Sequence, residues 1–218
     1  MKQKNRWLKL AAIALTLQAA TAWAAPVWTN GTPDFVNGSV MSDTYQAEDF
    51  SLGSTTTLTG ITFWSVEAAG AFSGSISWEI FSGAPGGTVV ASGSAGAITR
   101  TGAGTLSGFN VIQNQFSVSV ADLAAGTYWL AMHNGAISST GFNDFYWATA
   151  ADNASTRGLE LWLVDPSAGW STNGFEHAFS IDGRPGGGGS APEPSTAALA
   201  VLAMIGVVAQ RLRRPQSV

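Results

Sequence analysis

From residue 57 onward the chain alternates between apolar and small polar side chains. Residues 57–66 set Leu58, Ile61 and Phe63 among threonines, and residues 75–81 set Ile76, Trp78 and Ile80 against Ser75, Ser77 and Glu79. Residues 115–120 place Phe116, Val118 and Val120 between serines, and residues 127–133 place Tyr128, Leu130 and Met132 opposite Trp129, Ala131 and His133. Residues 159–164 and 174–181 complete the series, the latter with Phe175, His177, Phe179 and Ile181 in one phase. A period of two marks strands with one face covered and one face wet. Weaker runs of the same kind fall at 47–52, 88–91 and 142–149. Turn chemistry separates them: Gly83-Ala84-Pro85-Gly86-Gly87, Ala124-Ala125-Gly126, His133-Asn134-Gly135, Asp165-Pro166 and Asn173-Gly174. Many short strands punctuated by glycine, with no helical period between them, predict an all-β antiparallel sandwich, jelly-roll-like, over residues 25–185.

The pattern changes at both ends. Lys2, Lys4, Arg6 and Lys9 precede a short apolar core at 10–17, and Ala22-Trp23-Ala24 supplies small residues before Ala25. That order predicts a secretory signal helix over 1–24, routed through the Sec machinery and cut by signal peptidase between Ala24 and Ala25. After a glycine-rich linker at 186–191 come Pro192-Glu193-Pro194, an uncharged apolar run at 196–209, and Arg211, Arg213 and Arg214. Pro194 to Gln210 spans 17 positions, the short end of the roughly 17 to 25 residues that cross a bilayer as a helix. The arginines form a basic stop on the cytoplasmic side. The sequence therefore predicts a C-terminal transmembrane helix that holds the chain in a membrane.

Composition sharpens this picture. Of ten lysines and arginines, four precede residue 10 and three follow residue 210, so the intervening domain keeps only Arg100, Arg157 and Arg184. It carries thirteen of the 14 acids, giving it a net charge near −10. Such a surface repels nucleic acid and anionic lipid. The absence of cysteine excludes a disulfide framework and thiol chemistry.

The tail at 192–214 resembles the PEP-CTERM sorting signal of Gram-negative bacteria. The resemblance rests on Pro192-Glu193-Pro194, the apolar run and the arginines that follow it. Leu58-Thr59-Gly60-Ile61-Thr62-Phe63-Trp64, Ser77-Trp78-Glu79-Ile80-Phe81 and Ala125-Gly126-Thr127-Tyr128-Trp129-Leu130 are similar to phrases of the β-sandwich ectodomains that precede that tail. The resemblance implies an exosortase partner that cuts near Pro192-Glu193-Pro194. It implies a transient inner-membrane stage, then a place at the cell surface or in the extracellular matrix beside exopolysaccharide and biofilm.

Chemistry is sparse in the domain. There is no Gly-x-Ser-x-Gly elbow. His133 reads as a loop-edge histidine, and His177 as a core or sheet-edge histidine with a satisfied ring nitrogen. The expectation is a non-enzymatic protein with no required cofactor; a secreted glycoside hydrolase, which needs two carboxylates across a cleft, is the remaining catalytic alternative. Structural Ca2+ is a candidate at loop acids, with Asp43, Asp49, Asp144 and Asp152 foremost. Exposed aromatics are the other candidate site: Trp129, Tyr146 and Trp147 could stack saccharide rings, which would make the domain a carbohydrate-binding module.

Overall fold

The computed structural model of the 218-residue chain describes residues 26–152 and 157–186. Those residues are all-β, in two antiparallel sheets. In chain order the strands are β1 (Pro26–Thr29), β2 (Pro33–Val40), β3 (Thr44–Leu52), β4 (Thr56–Glu67), β5 (Ile76–Ser82), β6 (Thr88–Ala95) and β7 (Thr99–Leu106). They continue with β8 (Phe109–Leu123), β9 (Gly126–Asn134), β10 (Phe145–Ala150), β11 (Leu159–Trp162), β12 (Ser171–Thr172) and β13 (Phe179–Pro185). A single 3₁₀ turn, Pro166–Ala168, separates β11 from β12. No helix among the described residues is long and apolar enough to cross a membrane. The signal helix, the transmembrane helix and all but the first residue of the 186–191 linker lie outside the described residues.

The seven-stranded sheet is built on β4. Along one side β4 pairs with β8, from Thr56 opposite Leu123 to Glu67 opposite Asn110. Its other side is divided. Thr56 to Phe63 pair with β13, and Ser65 to Glu67 pair with β10. β1 then joins β13, β2 joins β10, and β7 joins β8. The six-stranded sheet runs β12-β11-β3-β9-β5-β6. Most connections carry the chain from one sheet to the other, which brings distant segments together at the sandwich edges.

The two inner faces meet in one core. Leu58, Ile61, Phe63, Phe116, Trp147, Phe179 and Ile181 pack from the first sheet against Phe50, Trp78, Ile80, Leu130 and Met132 from the second. Leu58 and Ile61 are three apart yet both point inward, because the β4–β8 register shifts between Leu58 and Gly60. The outer faces are partly covered as well. Tyr45, Ala47, Phe81, Trp129 and Ala131 lie beneath Leu161 and Trp170, while Trp64, Val66, Val111 and Ala148 lie beneath Leu106, Phe109 and Tyr146.

The strong alternations correspond to β4, β5, β8, β9 and β11, and the weaker ones to β3, β6 and β10. The run at 174–181 is displaced: β13 begins only at Phe179, and residues 173–178 form an irregular approach with one bridge, His177 to Thr149. Phe175 is consequently more than a third exposed although it shares its phase with Phe179. β1, β2, β7 and β12 carry no alternation that marks them. β7 is mostly threonine and glycine, with Arg100, Ala103 and one terminal leucine, and it is a strand because β8 supplies its ladder.

Candidate functional site

The most concentrated polar chemistry among the described residues lies inside the sandwich. β3 alternates so that Thr44, Gln46 and Glu48 share the inward phase with Phe50 and Leu52. All three polar side chains are fully buried. His177, also fully buried, comes from the approach to β13, and Ser39 comes from edge strand β2. A carboxylate oxygen of Glu48 stands 2.8 Å from His177 Nδ1 and accepts the His177 backbone N–H at 2.9 Å. On the other side of the ring, Nε2 lies 2.9 Å from Ser39 Oγ and 3.3 Å from Asn173 Nδ2.

These partners fix the tautomer. An amide nitrogen only donates, so Nε2 accepts from Asn173, and the ring proton sits on Nδ1, where it is donated to Glu48. Asn173 Nδ2 also donates to Gln46 Oε1 at 2.8 Å, and Gln46 Nε2 donates to the Val40 carbonyl at 2.9 Å, to Thr44 Oγ1 at 2.8 Å and to Glu160 at 3.3 Å. Asn30 Nδ2 donates to Glu176 at 3.2 Å and to the His177 carbonyl at 3.0 Å. The network thus joins β2, β3, β11 and the 173–178 segment, which are remote in sequence.

Burial sets its charge. Desolvation holds the His177 imidazole down to about 3, so the ring is neutral at ordinary pH. Desolvation, with repulsion from Glu176 and Asp49, pushes the Glu48 carboxyl up to about 9. The consequences for stability have opposite signs. His177 is easier to protonate unfolded, near 6.5, than folded, so its contribution is lost as pH falls from 6.5 toward 3. Glu48 is harder to ionise folded than unfolded, near 4.5, so its contribution is lost as pH rises from 4.5 toward 9. Between 4.5 and 6.5 the two slopes cancel. Asp49 and Asp182, both raised by burial from 3.8, lose their contribution in the same direction as Glu48, as pH rises above 3.8. The melting temperature is therefore expected to be highest and flattest across that window and to fall on both sides. In a Glu48→Gln variant the alkaline fall should shrink. An alkaline limb unchanged by that substitution would remove Glu48 as its origin.

Ser39, His177 and Glu48 stand in the order nucleophile, base, orienting carboxylate. Their surroundings give that order a different meaning. One face of the imidazole is covered by the Trp147 indole, with ring centroids 4.8 Å apart. Gly158 closes the Cε1–Nδ1 edge: a Cβ there would sit 2.6 Å from Cε1 and 3.0 Å from the Glu48 carboxylate. With one face and one edge of the ring covered and the ring fully buried, the geometry is that of a packed polar core.

The aromatic candidates separate. Trp147 is fully buried, and its indole N–H donates to the Ala178 carbonyl at 3.0 Å, so it offers no face to a saccharide. Trp129 does point outward from its sheet, but it is buried within the cluster capped by Leu161 and Trp170. Tyr146 is half-buried, with its ring edge-on to Phe109 and its hydroxyl donating to Asp144 at 2.9 Å. His133 is fully buried rather than at a loop edge, because β9 continues through Asn134; its ring nitrogens meet the Ser42 carbonyl at 3.1 Å and the Gly135 carbonyl at 3.4 Å.

The acids are dispersed. Asp43 is in the β2–β3 turn, Asp49 is on β3, Asp144 accepts from Tyr146, and Asp152 pairs with Arg157. Among the described residues no three acidic or histidine side chains come together as a metal ligand set. The cleavage residues Ala22, Ala24 and Ala25, the motif Pro192, Glu193 and Pro194, and the basic stop Arg211, Arg213 and Arg214 lie outside the described residues.

The sequence carried one usable trace of the buried network. Thr44, Gln46 and Glu48 continue the phase of Phe50 and Leu52, a polar stretch on what becomes a core-facing row. Its partners Ser39, Asn173 and His177 are linked to it only by the fold. Neither a comparison with the models of known protein families nor one with curated protein sequences finds a match.

Proposed function

We propose that this chain is an exported, non-enzymatic protein of the bacterial surface or matrix. The N-terminal signal takes it through the Sec machinery, and signal peptidase cuts before Ala25. The apolar tail then holds it transiently in the inner membrane, where an exosortase cuts near Pro192-Glu193-Pro194. The jelly-roll-like sandwich that remains associates with extracellular polysaccharide. The observation that carries this reading is the order of the last 27 residues: a proline-bracketed acidic turn, an uncharged run and a cationic stop. The charge distribution agrees with it. Seven of ten cations sit in the two terminal segments, and the domain between them is acidic and without lysine, a composition suited to staying soluble outside the cell.

The test is the mass of the mature protein recovered from a host that has an exosortase and from the same host lacking it. With the enzyme, the chain should begin at Ala25 and end near Pro194; without it, the C-terminal segment should remain and the protein should stay in the membrane fraction. A chain that keeps both extremities in the cytosol of the first host would overturn the reading.

A further inference from the structure

Trp162, like Phe35 on β2, is an aromatic strand residue that stays exposed. In the β11–β3 ladder, Glu160 lies opposite Gln46 and Trp162 opposite Thr44. Thr44 and Gln46 face the interior, so the same phase of β11 should be covered by the opposing sheet. It is not: Trp162 is 42% exposed. The reason is the width of the two sheets. The opposing sheet ends at β2, whose last residue, Val40, receives Thr44 Oγ1 and Gln46 Nε2 on its carbonyl. β11 and β12 lie on the far side of β3 from the sheet centre, and their inward phase forms a ledge past that edge.

The ledge is organised. The Trp162 indole N–H donates to Glu160 at 3.2 Å, which orients the ring. The other Glu160 oxygen receives Gln46 Nε2, and Gln46 Oε1 receives Asn173 Nδ2. A flat aromatic face therefore stands beside a carboxylate whose position is set by a fully buried amide. We propose that Trp162 and Glu160 form a binding site for a neutral saccharide. The C–H face of a pyranose would stack on the indole, and its hydroxyls would donate to the Glu160 carboxylate. This rests on the association with extracellular polysaccharide proposed above and names its site and ligand class.

Charge selects the neutral class. The domain is near −10, and two of its three arginines are engaged, Arg100 with Glu67 and Arg157 with Asp152. Glu160 itself would repel a uronate or a phosphate placed over Trp162. A nucleobase could stack equally well, but its phosphates would meet the same field.

The experiment is calorimetric titration of the full chain in detergent with cellohexaose, laminarihexaose and mannohexaose, and with hexagalacturonate as the anionic arm. At least one neutral hexasaccharide should bind, and hexagalacturonate should bind more weakly. Trp162→Ala should weaken binding about tenfold or more, with Trp162→Phe intermediate. The melting temperature of Trp162→Ala should stay near that of the parent, since the ring is exposed. Val90→Ala, on β6 at the opposite edge of the same sheet, should bind like the parent. Absence of binding by all three neutral sugars, preference for the anionic one, or undiminished binding by Trp162→Ala would overturn the proposal. Binding concerns only the ledge and tail cleavage only the sorting, so failure of one leaves the other result standing.

Discussion

His177→Ala is expected to lower the unfolding free energy of the sandwich by roughly 3–5 kcal/mol, from buried neutral polar groups left without a partner at about 1–3 kcal/mol each and from the cavity left in the core. The substitution removes the Nδ1 donor to Glu48 and the Nε2 acceptor shared by Ser39 and Asn173. It also empties the volume beneath the Trp147 ring. Glu48 would keep only backbone donors, the His177 N–H at 2.9 Å and the weaker Asp49 N–H at 3.4 Å, inside a fully buried site. Urea unfolding followed by far-UV circular dichroism measures the change. A loss below about 1 kcal/mol, the ordinary effect of a surface substitution or one neutral hydrogen bond, would show that the network does not hold the sheets together.

The second large effect is expected at Trp147. It heads the fully buried side chains by size, and it touches Phe63, Phe179 and His177. Trp147→Ala should cost about 3–5 kcal/mol through lost burial and the cavity left behind. Trp147→Phe should cost distinctly less, because it keeps most of the packing and forfeits mainly the bond to the Ala178 carbonyl. The same denaturation measurement separates the two. If phenylalanine proves as damaging as alanine, the bond to Ala178 and the outline of the indole matter more than its volume. Combining His177→Ala with Trp147→Ala should give less than the sum of the single losses, since the two rings border one space.

These two residues also show where reading the chain succeeds and where it stops. Strands with one wet face announced themselves: Ile76, Trp78 and Ile80 alternate with Ser75, Ser77 and Glu79, and β5 is found there. Alternation cannot say which apolar phase is truly inside when both faces are covered. Trp129 and Trp147 looked like candidates for exposure, yet the outer layer of Leu161 and Trp170 buries the first, and the sandwich core takes the second. Trp162 was legible as an aromatic in a strand, but its exposure depends on where β2 ends, a property of the opposite sheet. β2 and β7 were invisible for a related reason. Asn37, Gly38, Gly102 and Gly104 have little preference for a strand, neither run alternates apolar with polar residues, and their ladders come from β10 and β8. The buried network was the least legible part, because Ser39, Glu48, Asn173 and His177 meet only after the chain has crossed between sheets several times.

The division of β4 has a consequence for the order of events in folding. The spine of the larger sheet borrows its neighbours from the middle of the domain and from its very end, and the first strand rests on the last, Pro26 opposite Asp182. Loop-closure entropy must therefore be met over almost the full domain before the sheet is complete, which makes closure slow and late. A ribosome-bound chain that has not yet released residues 179–185 cannot seat either its opening strand or one flank of its spine. With no cysteine to trap a partial arrangement, the domain reaches its stable form only once nearly all of it is free.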